Sequence, residues 1–274
     1  MDPIRQIDFC LLIPYYNDPD GLRKAIASVD YNQDGCLVLV VDDGSIRPVQ
    51  RTEVMSMMPR PYSLHMIRLA RNCGITEALN QGLAWIRQQS NIRYVARLDC
   101  GDTCTNDRFF KQVKFLDDHP PVGLLGSWCI FQSRDGAARY PYHSPVGTTA
   151  ITRDMHLRNS FIHPTVMFRS NLLDKVKEYP GKYPYAEDYA FFWELSRVTL
   201  TWIIPEYLVT CEINEGGISL KNRRTQLKSR QRVLAEYAVS PFLKFAGILR
   251  LRVLSLVPKR LALLIKRLQS NKRN

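Results

Sequence analysis

The chain has 274 residues, of which 45% are hydrophobic and 10% aromatic. This composition supplies a sizeable core and excludes an intrinsically disordered protein. The net charge is +12, yet residues 221–274 hold fifteen Lys and Arg against one acid, Glu236, so the preceding 220 residues are nearly neutral. The distribution argues against a body that binds nucleic acid and favours a basic tail that meets an anionic partner.

Cysteine usage and the N-terminus indicate a cytoplasmic protein. The seven cysteines are odd in number and scattered, with no CxxC pair and no His cluster at zinc spacing, so we expect reduced thiols. The first residues carry no long apolar segment typical of a signal peptide. No stretch reaches the ~18 uninterrupted apolar residues of a membrane-spanning helix.

Short apolar runs alternate with segments of helical spacing along the first half of the chain. The apolar runs, each typical of a buried strand, are Phe9–Ile13, Leu37–Val41 and Tyr94–Leu98. The helical segments are Gly21–Val29, Thr76–Arg87, Arg108–Leu116 and, later, Tyr189–Arg197. The alternation predicts an α/β fold with a mostly parallel central sheet. Polar clusters follow the three strands and should converge on one crevice at their carboxyl ends.

Four segments, in this order and at these distances, resemble glycosyltransferase family 2, a family of inverting enzymes with the GT-A fold. They are Leu11–Asn17 (LLIPYYN), Val41–Ser45 (VDDGS), Arg97–Asp102 (RLDCGD) and Glu187–Trp193 (EDYAFFW). The resemblance covers about residues 8–220. It implies a Rossmann-like nucleotide-sugar transferase domain over residues 1–220.

The resemblance assigns the nucleotide-sugar donor to residues near the first strands. It implies that Asp43 contacts the base, that Pro14 and Tyr16 form a wall beside it, and that Arg71 reaches the diphosphate. The alternative for Asp43 is a turn or a helix cap. Pro14 and Tyr16 also suit core and turn positions, and Arg71 suits a solvated surface charge.

The segment after the third strand departs from the family pattern. Family members place Asp-x-Asp there, whereas this chain has Asp99, then Gly101 where the second acid is expected, then Asp102. A divalent ion needs hard oxygen ligands, and one or two carboxylates plus phosphates suffice. We therefore predict that Asp99 and Asp102 hold Mn²⁺ or Mg²⁺. The alternative is that both acids cap a loop.

The last of the four segments carries the predicted catalytic base. The resemblance implies that Asp188 takes the proton from the acceptor hydroxyl, a role that needs one carboxylate opposite the leaving diphosphate. It also assigns Glu187, His163 and Trp193 to orienting or contacting the acceptor. The alternatives are a helix N-terminal cap for the two acids, an interior histidine for His163, and core packing for Trp193.

The tail combines apolar and basic residues at helical spacing. Arg252, Lys259 and Lys266 recur every seven residues along one stripe. Leucine and valine side chains lie elsewhere around the helix, at Leu249, Val253, Leu256, Leu261, Leu264 and Leu268. Residues 221–274 are therefore predicted to form a basic amphipathic helical tail that associates with an anionic membrane. Packing on the preceding domain or on a partner subunit is the alternative, and no nucleic-acid partner is expected.

Taken together, the sequence predicts an inverting glycosyltransferase. Its donor would be a nucleotide diphosphate sugar, with UDP as the nucleotide, and its acceptor a saccharide or lipid-linked saccharide of lipopolysaccharide, capsule or another surface polysaccharide. We expect it at the inner face of the cytoplasmic membrane. Two other classes fit part of the pattern: an inactive GT-A-like adaptor that binds membrane or nucleic acid through the tail, and a nucleotidyltransferase. The latter would carry a Gly-rich phosphate loop, which Ile13–Asn17 is not.

Overall fold

A mixed β-sheet forms the centre of the protein. The computed structural model describes residues 6–105, 107–213 and 221–257. Within these ranges nine strands join in one sheet of order β3-β2-β1-β4-β8-β6-β9-β5, with β7 paired to β6. The strands are β1 (Ile7–Tyr15), β2 (Cys36–Asp42), β3 (Ser63–Arg68), β4 (Ile92–Arg97), β5 (Thr103–Cys104), β6 (Val122–Ser133), β7 (Arg139–Tyr142), β8 (Met167–Arg169) and β9 (Leu200–Ile213).

Helices connect the strands and continue beyond the sheet. The α-helices of the described residues are α1 (Pro19–Ala27), α2 (Arg51–Met57), α3 (Ile75–Arg87), α4 (Arg108–Asp118), α5 (Thr148–Met155), α6 (Glu187–Ser196), α7 (Arg223–Tyr237) and α8 (Pro241–Leu256). Two short 3₁₀ turns, His163–Thr165 and Ser170–Asp174, flank β8. The predicted strands and helices of the first half all occur, with boundaries shifted by a few residues.

The sheet is parallel in its first half and mixed in its second. Strands β1, β2, β3 and β4 pair in parallel, with Tyr15 opposite Asp42 and Leu12 opposite Arg97. Strand β8 is antiparallel to both β4 and β6, and β7 folds back on β6 as a hairpin. The α/β prediction is confirmed, and its parallel sheet applies to the first four strands. Short connections such as the β6–β7 turn permit antiparallel pairing, whereas parallel neighbours require a crossover.

Both faces of the sheet are buried because successive strand residues point to opposite sides. Leu12 and Leu39 join one hydrophobic cluster with α3 and α6. Leu11 and Val38 join another with α1 and α4. Continuous apolar runs are therefore required in β1 and β2, as expected for strands that are covered on both faces. All seven cysteines are free thiols, which agrees with the expectation from their spacing.

The helices of the basic tail pack on the body. Leu227 and Leu234 of α7 and Leu251 of α8 are buried in the same cluster as the aromatic residues of α6. Gly247 lies so close to the carbonyl oxygen of His156 that a Cβ would come within 2.0 Å of it. The predicted helical tail is present, and its inner side follows the packing alternative.

Two further properties of the tail bear on the membrane prediction. No helix among residues 6–105, 107–213 and 221–257 is long and apolar enough to cross a bilayer. The predicted tail positions beyond α8 lie outside the described residues, namely Lys259, Leu261, Leu264, Lys266 and Leu268.

Candidate active site

The polar segments that follow β1, β2 and β4 meet at one edge of the sheet. After β1, the backbone N–H of Asn17 donates to Ser45 Oγ at 2.9 Å, and Asn17 Oδ1 accepts from the N–H of Ile46 at 2.9 Å. After β4, the Cys100 thiol donates to the carbonyl oxygen of Pro14 at 3.4 Å. The three segments therefore lie together at the carboxyl ends of adjacent parallel strands, where the sequence predicts a ligand-binding crevice.

The carboxylate of Asp43 hydrogen-bonds the loop before α3 to the end of β2. Its Oδ1 accepts the backbone N–H of Cys73 at 2.7 Å, and its Oδ2 accepts that of Gly74 at 2.8 Å. Gly44 has φ of +68°, and a Cβ there would lie 2.3 Å from the carbonyl carbon of Arg71. The Asp-Gly pair thus lets the two loops touch, and part of the carboxylate's hydrogen-bonding capacity is used within the protein.

The other predicted donor residues differ in exposure. Pro14 is half-buried at the end of β1, and Tyr16 beyond it is 46% exposed. Arg71 is exposed in the loop that Asp43 holds. The ring of Tyr16 and the guanidinium of Arg71 are therefore open to a ligand at the same edge of the sheet.

Asp99 pairs with a fully buried arginine and remains partly open. The side chain of Arg97 is buried and donates to Asp99 Oδ1. Arg97 also donates through Nε to His163 Nε2 at 3.3 Å. The Asp99 side chain is 30% exposed, so its second oxygen can accept from a ligand or a cation.

Asp102 lies deeper than Asp99 and is held from β9. Its Oδ1 accepts the backbone N–H of Glu212 at 2.7 Å. Burial first, and then the charge of Asp99, raises the pKa of Asp102 well above its usual range, and the nearby carboxylate of Glu212 adds to this. Gly101 has φ of +91°, which a glycine adopts readily and an aspartate does not. The backbone therefore favours glycine at the position where the family has an acid.

A divalent cation fits this place with a small set of protein ligands. In the described parts of the chain, no group of three or more His, Cys, Asp or Glu side chains is arranged to hold a metal ion. Asp99 offers one hard oxygen at the crevice, and its repulsion of Asp102 is an interaction that a cation would offset. The donor set suits Mn²⁺ or Mg²⁺ only with phosphate oxygens of a ligand completing the shell.

His163 is a neutral hydrogen-bond acceptor beneath the crevice. Its Nε2 lies 2.9 Å from the hydroxyl of Tyr179, and the ring packs edge-on against Phe192. Burial first, and then the charge of Arg97, lowers the pKa of His163 to about 3. The imidazole is thus uncharged at neutral pH, and these contacts favour the interior-histidine alternative.

The acids Glu187 and Asp188 begin α6 and have different surroundings. Asp188 Oδ2 accepts from Asn159 Nδ2 at 2.9 Å, and Oδ1 accepts the N–H of Tyr189 at 2.7 Å. Burial raises the pKa of Asp188, while the N–H of Tyr189, the charge of Arg230 and the hydrogen bond from Asn159 oppose the rise. Asp188 is thus a carboxylate oriented by two hydrogen bonds, and its pKa is raised overall.

Glu187 is more strongly perturbed than its neighbour. Burial, and then the charge of Asp188, raises the pKa of Glu187 to about 7. Its Oε2 is buried and has no hydrogen-bond partner among the described residues. Below a pH of about 7, Glu187 is therefore protonated and is a neutral neighbour of Asp188.

The prediction that Trp193 contacts the acceptor is wrong. Its side chain is 1% exposed and packs edge-on against His156 at 5.1 Å between ring centroids. A sugar cannot stack on a ring that is enclosed on all sides. The packing alternative therefore holds for Trp193, because α6 is surrounded by core on nearly every side.

Two residues that act on Asp188 were not predicted from the sequence. Asn159 donates to Asp188 from a segment that carries no recognised motif. Arg230 acts on Asp188 from α7, where the sequence suggested only a basic tail residue. Neither spacing nor composition signals these contacts, since both partners are distant from Asp188 along the chain.

Solved structures with a similar fold include nucleotide-bound glycosyltransferases. S. aureus TarS 1–349 in complex with UDP superimposes with a TM-score of 0.63 at 16% identity, covering 88% of this chain and 69% of that one. The mannosyltransferase PcManGT from Pyrobaculum calidifontis, in complex with GDP-Man and Mn²⁺, gives 0.62 at 19% identity, covering 96% and 73%. At these identities the likeness establishes the fold, which is that of GT-A proteins.

Sequence comparison identifies the family. Residues 10–176 match the model of glycosyl transferase family 2, so the chain belongs to that family. The amylovoran biosynthesis glycosyltransferase AmsE of Erwinia amylovora is 31% identical over 66% of this chain and 66% of its own length. The UDP-Gal:alpha-D-GlcNAc-diphosphoundecaprenol beta-1,3-galactosyltransferase of Escherichia coli is 27% identical over 67% of this chain and 66% of its own. The family prediction is confirmed.

Proposed function

We propose that the protein is an inverting glycosyltransferase that uses Asp188 as its base. The acceptor hydroxyl oxygen attacks the anomeric carbon, its proton passes to Asp188, and the bond to the diphosphate breaks with its electron pair leaving on the diphosphate oxygen. The observation that carries the proposal is the oriented carboxylate of Asp188, held by Asn159 and the N–H of Tyr189. A diphosphate is a good leaving group, so the mechanism needs only one acid–base residue.

The donor is proposed to be a UDP-sugar bound at the edge of β1, β2 and β4. Tyr16, Pro14 and Arg71 are at least partly exposed there, and Asp43 retains free lone pairs after its two backbone bonds. The UDP complex of TarS supports uridine, whereas the GDP-Man complex of PcManGT makes guanosine the rival. Binding of UDP but not GDP is the discriminating observation.

Asp99 is proposed to hold Mn²⁺ or Mg²⁺ together with the donor's phosphates, with Asp102 as a second acid. The bound ion would neutralise charge that develops on the leaving diphosphate. Arg97 fixes the Asp99 carboxylate from beneath, which keeps its open oxygen directed to the crevice. The Mn²⁺ complex of PcManGT supports this choice of cation.

The acceptor is proposed to be a lipid-linked saccharide of surface-polysaccharide synthesis, such as a lipopolysaccharide or capsule precursor. The names of the two curated relatives, one for amylovoran and one for a diphosphoundecaprenol acceptor, support this class. Glu187, protonated below pH about 7, would donate to the acceptor or orient it. His163 would support the site from below through Tyr179.

Association with the inner face of an anionic membrane is proposed for the outer side of α8. Large apolar side chains are exposed there, namely Phe242, Phe245, Leu249, Val253 and Leu256. At about 100° per residue, these five fall within an arc of about 80°, opposite the buried Leu251. Arg250 and Arg252 flank the arc. The pattern is that of a helix lying in a lipid interface.

Donor hydrolysis separates this function from its rivals. The purified chain with Mn²⁺ is incubated with UDP-sugars, and UDP release is measured for wild type and for Asp188→Asn. A glycosyltransferase releases UDP slowly with water as acceptor, whereas an inactive adaptor releases none. A nucleotidyltransferase would instead cleave the UDP-sugar at the uridine α-phosphate and give UMP and a sugar 1-phosphate, which the same chromatogram resolves.

A further inference from the structure

Arg230 lies over the ring of Tyr189, the residue that follows the proposed base. Its Cζ lies 5.4 Å from the centroid of the Tyr189 ring, and its charge lowers the pKa of the neighbouring Asp188. The Nε atom is buried and makes no hydrogen bond to any residue that the structure describes. Leaving a charged donor atom unsatisfied costs free energy, and an anionic ligand that accepts from this guanidinium would offset that cost.

Arg230 and Arg158 both lie close enough to Arg250 to act on it electrostatically. Arg158 is fully engaged, because it binds Asp154 at 2.8 Å and donates to the hydroxyl of Tyr142. Arg250 of α8 is exposed and donates to a backbone carbonyl oxygen, without a carboxylate partner among residues 6–105, 107–213 and 221–257. Partial burial, and then the charges of Arg230 and Arg158, lowers the pKa of Arg250. Neither Arg230 nor Arg250 has a carboxylate within ion-pair distance among the described residues, so both guanidiniums can bind an anion.

The geometry of an inverting transfer indicates which anion would bind these arginines. In an inverting transfer the base and the leaving diphosphate lie on opposite sides of the anomeric carbon, so a group beside Asp188 belongs to the acceptor side. Arg250 borders the exposed apolar arc of α8. Arg230 lies beside the base, Arg250 lies within electrostatic range of Arg230, and the apolar arc adjoins Arg250. A lipid-linked acceptor presents hydroxyl, phosphate and lipid in the same order.

We infer that Arg230 and Arg250 form a subsite for the phosphate groups that link the acceptor sugar to its lipid. The inference rests on the proposed function and assigns its acceptor an anionic linker. Guanidinium groups suit this ligand, because their paired N–H donors match two phosphate oxygens. The same chemistry occurs in phospholipid headgroups, and the test distinguishes the two sources.

Calorimetry with saturating UDP tests the subsite, because UDP occupies the donor site and leaves any second anion site free. Pyrophosphate is titrated into wild type, Arg230→Gln, Arg250→Gln and the control Arg224→Gln. The control removes one exposed charge from the same helix as Arg230. We expect the affinity for pyrophosphate to fall by roughly tenfold or more in the two subsite variants and to stay unchanged in the control. The reason is that one charge-assisted hydrogen-bonded pair contributes about a factor of ten or more to the affinity.

Competition identifies the source of the phosphate. Geranyl diphosphate should displace pyrophosphate from the UDP complex, and dihexanoyl phosphatidylglycerol should not. Equal displacement by both would overturn the acceptor assignment in favour of a headgroup contact. Pyrophosphate binding that is absent in wild type, or unchanged in folded Arg230→Gln and Arg250→Gln, would overturn the subsite itself. UDP affinity is measured separately, so failure of the donor site appears in a different titration.

Discussion

Asp188→Asn replaces one carboxylate oxygen of the proposed base by an amide nitrogen and leaves the side chain's shape intact. The remaining oxygen must keep accepting the N–H of Tyr189, which lies 2.7 Å from Oδ1. The new amide then faces Asn159 Nδ2, which donates to Oδ2 at 2.9 Å in the wild type. Two donors would oppose each other there. Rotating the Asn159 amide would remove its own bond to the N–H of Phe161.

The expected losses of turnover and of stability follow from the lost basicity and from these contacts, respectively. Removing a general base lowers turnover by ~10²–10⁴, which corresponds to about 3–5 kcal/mol of activation free energy. The opposed donors at Asn159 cost about 1–3 kcal/mol of stability. Relief of a buried charge offsets part of that cost, because burial disfavours the ionised Asp188. We therefore expect a large loss of turnover with a small change in melting temperature.

The assay compares kcat for transfer, UDP affinity by calorimetry and the melting temperature. Asp20→Asn is the matched control, because Asp20 is also the second residue of a helix but is exposed. UDP affinity should stay within about twofold in both variants, since the base contacts the acceptor and not the nucleotide. A kcat for Asp188→Asn within tenfold of wild type, in a folded protein that binds UDP normally, would refute the assignment.

Four further outcomes are expected. Asp43→Ala should weaken UDP binding by about 1–3 kcal/mol and also lower the melting temperature, because two backbone N–H groups lose their acceptor. Chelation should abolish sugar transfer, Mn²⁺ or Mg²⁺ should restore it, and Asp102→Ala should weaken that response in a metal titration. Glu187 has a folded pKa of about 7 against 4.5, so its contribution to stability falls as pH rises through that window, by up to about 3 kcal/mol. Glu187→Gln should therefore melt higher than wild type at pH 8 and about equally at pH 4. Phe242→Ser with Phe245→Ser should reduce sedimentation with phosphatidylglycerol vesicles while UDP binding persists, because both side chains are exposed.

Each of these outcomes has a contrary result. Unchanged UDP affinity in Asp43→Ala would mean that the carboxylate only supports the loop. Full activity in chelator would remove the cation from the mechanism. A Glu187→Gln protein whose melting curve follows wild type at every pH would contradict the raised pKa. Vesicle binding that survives both serine substitutions, while salt alone abolishes it, would assign the membrane contact to charge and not to the apolar arc.

The secondary-structure elements and the family can be predicted from the sequence. The apolar runs of β1, β2 and β4 predict strands because both faces of the sheet are buried, and each run ends in a polar cluster that must lie at the same edge. The four motifs identify glycosyl transferase family 2, which the family match confirms. Sequence also located Asp43, Asp99 and Asp188, since these acids lie within the motifs.

The contacts of those side chains could not be predicted in this way, because they join segments that are distant along the chain. Asp43 accepts hydrogen bonds from the backbone of Cys73 and Gly74, which follow a different strand. The charge of Arg230 acts on Asp188 from α7, a helix that the sequence analysis assigned to the tail. Trp193 shows the same limit in the core. Helix α6 is apolar on nearly every side, so its periodicity could not tell an exposed ring from a buried one. Contacts between distant segments depend on packing, and neither composition nor spacing encodes packing locally.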